Sequence, residues 1–256
     1  MPSGARPMFR LYKYLFPALA AALAFSYYMT AYNFRSLKIP LAEVLREPAQ
    51  TAVKKGAPVT LEKGGTEYVL EPLFDYDISA AVIGTSGNYL SGIREIIPFD
   101  VGLMWGGTVG SGEFRKIRCS VLVNHLYIKW YGDAKINPYD LANTHIIPGS
   151  PKVLAALKTL VPGDQVRLRG QLVNVRAYPA GESGVGSPKQ ELLSSTTRKD
   201  QGDGACEILY VPSLEDVKVL RRADRFYPSL FHFCAWALPT LLAFFLVQVH
   251  LPFFVS

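Results

Sequence analysis

Two long apolar runs, one near each end of the chain, constrain most strongly what this sequence can fold into. Neither residues 14–34 nor residues 226–256 contain Asp, Glu, Lys or Arg. A helix crosses a bilayer with about 20 apolar residues. The sequence therefore predicts transmembrane helices at residues 14–34 and 226–255, with a basic lead at residues 1–13.

The first apolar run has two interpretations. Its basic start, short apolar stretch and Ala-x-Ala at residues 22–24 are typical of a cleavable secretory signal. The apolar character nevertheless continues through Met29 and Ala31, and Tyr27 and Tyr28 suit the interface belt of a membrane helix. We predict an uncleaved signal anchor, with cleavage before Phe25 as the alternative.

The middle of the chain has the period of β-strands. Residues 59–61 and 68–70 flank Gly64-Gly65, which predicts a hairpin, and residues 73–83 alternate as a half-buried strand does. The sequence also predicts a connector over residues 35–58, a strand that breaks into a glycine loop over 99–107, and two strands joined near Asn124 over 114–131. An irregular segment follows over 132–149, and further strands are predicted over 206–211 and 214–220.

A short helix and a strong strand follow in the sequence. Ser150-Pro151 is a favourable helix start, and Pro162-Gly163 ends the helix. The strand at residues 165–177 changes its alternation phase after Gly170, which predicts a bulge or a barrel corner. Many short strands with one short helix indicate a small closed barrel over residues 59–220 rather than a helical bundle.

The wording of this stretch resembles a known fold. The helix, the Pro-Gly-Asp turn and the string Gly-Asp-Gln-Val-Arg-Leu-Arg-Gly at residues 163–170 are similar to the second half of an oligonucleotide/oligosaccharide-binding (OB) barrel. The resemblance implies a mainly β chain: a small OB-like β-barrel domain with one short helix, flanked by N- and C-terminal transmembrane helices.

The charges are mild and scattered. Of the 27 Lys and Arg residues, 24 lie between the apolar runs against all 21 acids, which is not the basic face of a nucleic-acid binder. We expect no nucleic-acid partner. The basic residues closest to the predicted membrane are interpreted as a flanking charge set, with binding of anionic lipid head groups as the alternative. They are Arg35, Lys38, Lys218, Arg221, Arg222 and Arg225.

The chain has three cysteines, Cys119, Cys206 and Cys234. None belongs to a CxxC pair, so a zinc site is not expected. Cys234 lies inside the second apolar run. In an oxidising compartment Cys119 and Cys206 could form a disulfide, and otherwise both are interpreted as small buried apolar residues.

One set of side chains could carry out chemistry: Arg198, Asp200, Asp203 and Glu207, with His145 or His125. Carboxylates beside an arginine can bind a divalent metal or a phosphate, which makes Asp200, Asp203 and Glu207 the candidate metal ligands. The competing interpretation, which we favour, is a tight glycine turn whose aspartates cap backbone amides. His145 is then a partly buried hydrogen-bonding residue, and no cofactor is predicted.

Several strings resemble one family. They are Leu-Ser-Ser-Thr-Thr-Arg-Lys-Asp-Gln-Gly-Asp-Gly-Ala-Cys-Glu at residues 193–207 with the strand after it, Asp-Val-Gly-Leu-Met-Trp-Gly at 100–106, Trp130, and Asn-Thr-His-Ile-Ile-Pro at 143–148. These strings are similar to a set of membrane-anchored, mostly proteobacterial proteins without an established activity. The second apolar run departs from the simpler members, which implies assembly with other membrane proteins.

The flanking charges and the segment length give opposite orientations. Six basic residues on the domain side against three on the N-terminal side favour a cytoplasmic domain, whereas long segments cross a membrane largely regardless of charge. The signal-like N-terminus decides for a periplasmic domain. We predict a bacterial inner-membrane protein with two spans.

The predicted function is a non-enzymatic accessory or scaffold subunit of an envelope complex, because the sequence lacks a complete catalytic set. Its expected partners are other membrane proteins and the lipid bilayer. The alternatives are a membrane-bound hydrolase or metal-dependent enzyme that uses the Arg198 cluster, and a ligand-binding sensor.

Overall fold

The computed structural model describes residues 5–37, 39–53, 57–87, 95–122, 125–183, 186–197, 199–200 and 205–250. The chain divides into two compact units. One is a β-rich unit over Tyr32–Ala223, and the other consists of the helices at the two ends of the chain. The expectation of a β-rich middle between two apolar helices is confirmed.

The described residues form four helices and eleven strands. The helices are α1 (Ala5–Ala31), α2 (Gly106–Ser111), α3 (Pro151–Leu157) and α4 (Phe226–His250). The strands are β1 (Ala49–Ala52), β2 (Val59–Lys63), β3 (Thr66–Gly87), β4 (Phe99–Met104), β5 (Ile117–Leu122), β6 (His125–Trp130), β7 (Leu141–Pro148), β8 (Gln165–Pro179), β9 (Gln190–Leu192), β10 (Glu207–Val211) and β11 (Val217–Arg221).

The terminal helices pack against each other. Their segments Leu11–Ala31 and Phe226–Val247 are long and apolar enough to cross a membrane. The rings of Tyr12 and Phe245 have centroids 5.2 Å apart, and those of Phe25 and Tyr227 are 5.9 Å apart, so the helices run antiparallel. Helix α1 ends three residues before the predicted end of the span, because Phe34 is buried in a core cluster of the β-rich unit.

Strand β3 organises the main sheet. It pairs antiparallel with β1, β2, β4 and β8. Strand β4 pairs antiparallel with β7, β7 pairs parallel with β10, and β10 pairs antiparallel with β8. Following these pairings from β3 through β4, β7, β10 and β8 therefore leads back to β3. Strands β9 and β11 also pair with β8, and β5 and β6 form a separate hairpin.

Three hydrophobic clusters fill the β-rich unit. The first contains side chains from all five strands of that circuit and from α3, among them Ile78, Val101, Ile146, Val166, Leu209 and Val153. The second lies under the β5–β6 hairpin and includes Phe34, Ile83, Met104, Phe114 and Ile117. The third includes Tyr68, Leu70, Ile147, Val175 and Ile208.

The irregularity predicted at Gly170 lies elsewhere. Pairing of β8 with β3 continues through Gly170, and the extra residue is Leu73 on β3, between the pairs formed by Pro72 and Phe74. The apolar pattern of β8 changes phase because Leu172 belongs to the first cluster, whereas Val173, on the opposite face of the strand, belongs to the third. The strand passes from one core to another without a bulge of its own.

Gly170 is required for a different reason. A Cβ atom at this position would lie 2.0 Å from the carbonyl oxygen of Tyr210, far inside any allowed contact. Because β10 crosses β8 at this point, only a residue without a side chain lets the two backbones approach.

The local signals around α3 and the first hairpin are confirmed. The Ser150 hydroxyl accepts a hydrogen bond from the Val153 amide at the N-terminus of α3. Gly64 and Gly65 have φ angles of +58° and +72° in the turn between β2 and β3. Such paired positive angles give the turn a twist that matches the twist of the strands it joins.

Two predictions about irregular segments are wrong. The glycine loop after Met104 contains helix α2, whose Thr108 amide donates to the buried carboxylate of Asp140. The segment 132–149 contains strand β7, which lies between β4 and β10 and is buried along most of its length. A strand buried on both faces lacks the polar–apolar alternation by which strands are recognised.

Candidate functional site

Three segments that are distant in the sequence meet in the main sheet. Asp100 on β4 pairs directly with His145 on β7. On the other side of β7, Ile208 of β10 pairs with His145 in a parallel register. Cys206, the residue just before β10, therefore comes next to the part of β7 that carries Asn143 and His145.

Their side chains form a connected polar cluster. The Nδ1 atom of His145 lies 2.8 Å from Oδ1 of Asp100, and these side chains are only 8% and 1% exposed. His145 is also hydrogen-bonded to the Cys206 side chain. The Asn143 amide donates to the Cys206 sulfur over 3.7 Å. A partly exposed thiol is thus linked through an imidazole to a buried carboxylate.

Two opposing effects set the charge of His145. Burial lowers the pKa of its imidazole, because desolvation disfavours the cation. Hydrogen bonds and charge interactions with Asp100 and Cys206 outweigh burial and raise this pKa to about 9. His145 is therefore a cation at neutral pH.

The loop before β10 fixes the backbone of Cys206. The Ser195 amide donates to the Cys206 carbonyl over 3.0 Å, and the Ile208 amide donates to the Ser194 hydroxyl over 2.9 Å. Asn174 on β8 in turn accepts from the Ser194 amide over 3.0 Å. These bonds hold the thiol-bearing residue at a defined position on the sheet.

This arrangement suits nucleophilic chemistry. Asp100 is bonded to Nδ1 of the imidazole, and the Cys206 side chain is a second hydrogen-bond partner of the ring. A cationic imidazole hydrogen-bonded to a cysteine is the arrangement that activates thiol nucleophiles, with a third group orienting the ring. Here Cys206 carries the thiol, His145 is the cationic imidazole, and Asp100 is the group that orients its ring.

The structure separates the cluster predicted from the sequence. Glu207 is buried at the start of β10 and faces the same side as Leu209 of the first cluster, whereas His145 shares its side with Ile208 of the third. Asp200 is exposed and accepts a hydrogen bond from the Ser195 hydroxyl over 2.7 Å. Arg198 and Asp203 lie outside the described residues.

The other histidine candidate lies on the β5–β6 hairpin. His125 begins β6 and is exposed on the hairpin, with its ring 6.0 Å from that of Tyr127. Within the described part of the chain, no group of three or more His, Cys, Asp or Glu side chains is arranged to hold a metal ion.

Cys119 and Cys206 are not joined by a disulfide in the structure. Cys119 belongs to the second core cluster, and its burial raises the pKa of the thiol to about 12 against a smaller opposing effect of Arg35. Cys206 instead contacts Asn143 and His145. The two cysteines therefore differ sharply in their surroundings.

Sequence reasoning included His145 but missed its partners Asp100 and Cys206. The available signal was the set of strings that resembled one family, because Asp100, Asn143, His145 and Cys206 all lie in those strings. Comparison of the chain with protein-family models, with curated proteins and with solved structures found no match.

Proposed function

We propose that the protein is a membrane-anchored hydrolase or acyl transferase with Cys206 as its nucleophile. The observation that carries the proposal is the hydrogen-bonded connection from Asp100 through His145 to Cys206. The substrates that suit it are esters, thioesters or amides, because a thiolate attacks their carbonyl carbon.

The reaction proceeds in two steps that balance. In the first, the sulfur of Cys206, as a thiolate beside the imidazolium, bonds to the carbonyl carbon, the bond to the leaving group breaks, and the cationic His145 gives that group its proton. In the second, His145 takes a proton from water while the water oxygen attacks the acyl carbon. The carboxylic acid leaves, and the sulfur and the imidazolium are restored. An alcohol, amine or thiol in place of water makes the same step an acyl transfer.

Asp100 and Asn143 are positioning residues in this scheme. Asp100 holds the ring through Nδ1 and stabilises the imidazolium, as a buried carboxylate does beside a catalytic histidine. Asn143 donates to the sulfur and so fixes the direction of the thiol.

Alkylation of the full-length protein in mild detergent tests the site. Iodoacetamide modification, located by peptide mass, is expected to be fastest at Cys206, and Cys119 and Cys234 serve as buried internal controls. Cys206→Ser should abolish turnover of p-nitrophenyl butyrate. His145→Gln should lower turnover about 100-fold or more, as expected for loss of a general acid–base group.

A matched control is Cys119→Ser, which changes a thiol in a core cluster and should leave turnover unchanged. Asp100→Asn should alter the pH profile of alkylation at Cys206 as well as its rate, which a purely structural role would not do. Equal alkylation rates at Cys206 in wild type and His145→Gln would refute the proposal.

We also propose that the five-strand circuit is a closed, OB-like barrel. Support comes from the return of the pairings to β3, from the position of α3 between β7 and β8, and from a core cluster that draws on all five strands. The closing contact pairs Tyr210 with Gln171. Tyr210→Cys with Gln171→Cys should cross-link under mild oxidation, whereas Tyr210→Cys with Glu182→Cys should not.

We further propose that the protein lies in a bacterial inner membrane with two spans and a periplasmic β domain. Its two apolar helices and the signal-like character of the first support this placement. Carbonate extraction should leave the intact protein in the membrane. Glu182→Cys, on an exposed turn, should react with an impermeant maleimide from the periplasmic side, and labelling only after cell lysis would reverse the orientation.

A second candidate function is the accessory subunit of an envelope complex. The observation that favours it is the set of large aromatic side chains that α4 leaves exposed, Phe233, Trp236 and Phe244, which another membrane helix could cover. Purification in mild detergent should then give a stoichiometric complex, and Cys206→Ser should leave that complex and its function intact.

A further inference from the structure

The β5–β6 hairpin has one face that the rest of the β-rich unit leaves uncovered. Ile117, Cys119 and Val121 of β5 are buried, whereas the residues between them are exposed. The two strands pair with each other and with no other described strand. The outer face of the hairpin is therefore a small sheet surface that the described residues do not cover.

The outer face combines basic, aromatic and aliphatic side chains, among them Arg118, Leu122, His125, Tyr127, Lys129 and Tyr131. Leu122, Tyr127 and Tyr131 are 56%, 53% and 50% exposed. The Arg118 guanidinium lies 5.1 Å from the ring centre of Tyr131, and Arg118 pairs with Lys129 across the hairpin. Neither strand contains an acidic residue.

The base of the hairpin is fastened to the segment that follows α1. The Arg35 Nε atom donates to the Ile117 carbonyl over 2.9 Å, and Arg115 donates to the Leu37 carbonyl over 2.6 Å. Arg118 also lies 5.8 Å from the ring centre of Tyr32. Tyr32 directly follows Ala31, where the first apolar segment ends, so Arg118 contacts the first residue after that segment.

We propose that the outer face of the β5–β6 hairpin lies on the surface of the bilayer and binds anionic lipid head groups. Tyrosine side chains suit the membrane–water interface, where an apolar ring meets a polar edge. Arg118 and Lys129 supply positive charge, which an anionic membrane surface attracts. The inference rests on the membrane anchoring proposed above, but not on the thiol chemistry.

Two of the six basic residues that flank the apolar runs are bonded to backbone carbonyls of the β-rich unit. Of the six flanking basic residues, Arg35 is bonded to the Ile117 carbonyl and Arg221 to the Ile39 carbonyl. Lys38 lies outside the described residues. Arg118 is exposed beside the ring of Tyr131, and its cross-strand partner Lys129 is exposed as well.

Tryptophan fluorescence of the full-length protein in vesicles tests this proposal. The chain has three tryptophans, and Trp130→Phe with Trp236→Phe leaves only the buried Trp105. Adding Tyr127→Trp places a reporter on the outer face. The vesicles contain equal parts of phosphatidylcholine and phosphatidylglycerol, with bromine on the phosphatidylcholine chains close to the head group.

The reporter emission is expected to be quenched by about twofold or more, since bromine lies at the depth where interfacial aromatic rings reside. The protein with Trp105 alone sets the baseline. Lys129→Glu, and separately Arg118→Glu, should weaken the quenching, and so should vesicles of phosphatidylcholine alone. Lys129→Glu is the safer variant, because Arg118 also contacts Tyr32.

The negative outcomes differ from one another. Quenching no greater than the Trp105 baseline would overturn the docking, as would cross-linking of the hairpin to a second copy or another protein while the reporter stays unquenched. Quenching that is unchanged by both charge reversals and by removal of phosphatidylglycerol would overturn the preference for anionic head groups. Loss of the protein from floated vesicles would instead show that the membrane anchoring itself is wrong.

Discussion

Replacement of His145 by glutamine, followed over a range of pH, tests the electrostatics of the site. The pKa of His145 is about 9 in the folded protein against 6.5 for an unperturbed imidazole. This difference is equivalent to about 3 kcal/mol of stability, since a tenfold change in an equilibrium constant is about 1.4 kcal/mol. Because the folded pKa is raised, the contribution is fully present below pH 6.5 and is lost as pH rises through 9.

The contribution of His145 to stability decreases steeply between pH 7 and pH 9. Proton linkage with these pKa values leaves most of the contribution at pH 7, less than half at pH 8 and little at pH 9, so that about 2 kcal/mol is lost between pH 7 and pH 9. For a unit of this size, 1 kcal/mol moves the melting temperature by about 2–4 °C. The difference in melting temperature between wild type and His145→Gln should therefore shrink by about 4–8 °C between pH 7 and pH 9.

The assay is thermal unfolding of both proteins in the same mild detergent at each pH. Subtracting one curve from the other removes the titration of all groups that the proteins share. Asp100→Asn is a second comparison, because it removes the negative charge beside Nδ1 and should therefore lower the pKa of His145. A difference that stays constant, or grows from pH 7 to pH 9, would refute the argument, because His145 would then be buried as the neutral base.

Three further changes test the fold. Gly170→Ala should lower the free energy of unfolding by about 3 kcal/mol or prevent folding, because its Cβ atom would meet the Tyr210 carbonyl. Gly107→Ala is the control and should be tolerated, because the nearest atom to its Cβ lies at 3.6 Å. Denaturant unfolding compares the two variants. Asp164→Ala should lower the free energy of unfolding by about 1–3 kcal/mol, because this buried carboxylate accepts hydrogen bonds from the amides of Val161 and Ala223. The hydrogen-exchange rates of these two amides should rise in the variant. Ile78→Ala should cost about 2–5 kcal/mol as a fully buried core residue, and Ile39→Ala, exposed on the surface, should change the melting temperature little.

The parts of the fold that the sequence predicts well depend on short-range chemistry. The N-terminal cap of α3 by Ser150, the turn at Gly64-Gly65 and the long strand β8 each follow from residues within a few positions of one another. Strand β7 was missed because its neighbours β4 and β10 bury it on both faces. Helix α2 was missed because Asp140, far along the chain, accepts its Thr108 amide.

The candidate site depends on long-range pairing, which sequence spacing does not encode. Asp100 and His145 are 45 residues apart, and Asn143 and Cys206 are 63 apart. Only the register of β4, β7 and β10 brings them together. The sequence instead predicts a candidate site at the acidic residues near Cys206, because these residues are close together in the chain. Of the site residues, the sequence therefore points to His145 but not to the partners that surround it.

The pairing of β3 with β8 has a consequence for synthesis on the ribosome. Thr66 pairs with Pro179 and Ala81 with Gln165, so β3 emerges long before its partner exists. The last strands of the sheet, β10 and β11, end at Arg221, just before helix α4 begins. Until they emerge, β7 and β8 present unpaired edges of the kind that invite aggregation. The sheet therefore cannot complete its pairing until β10 and β11 have emerged from the ribosome, directly before helix α4.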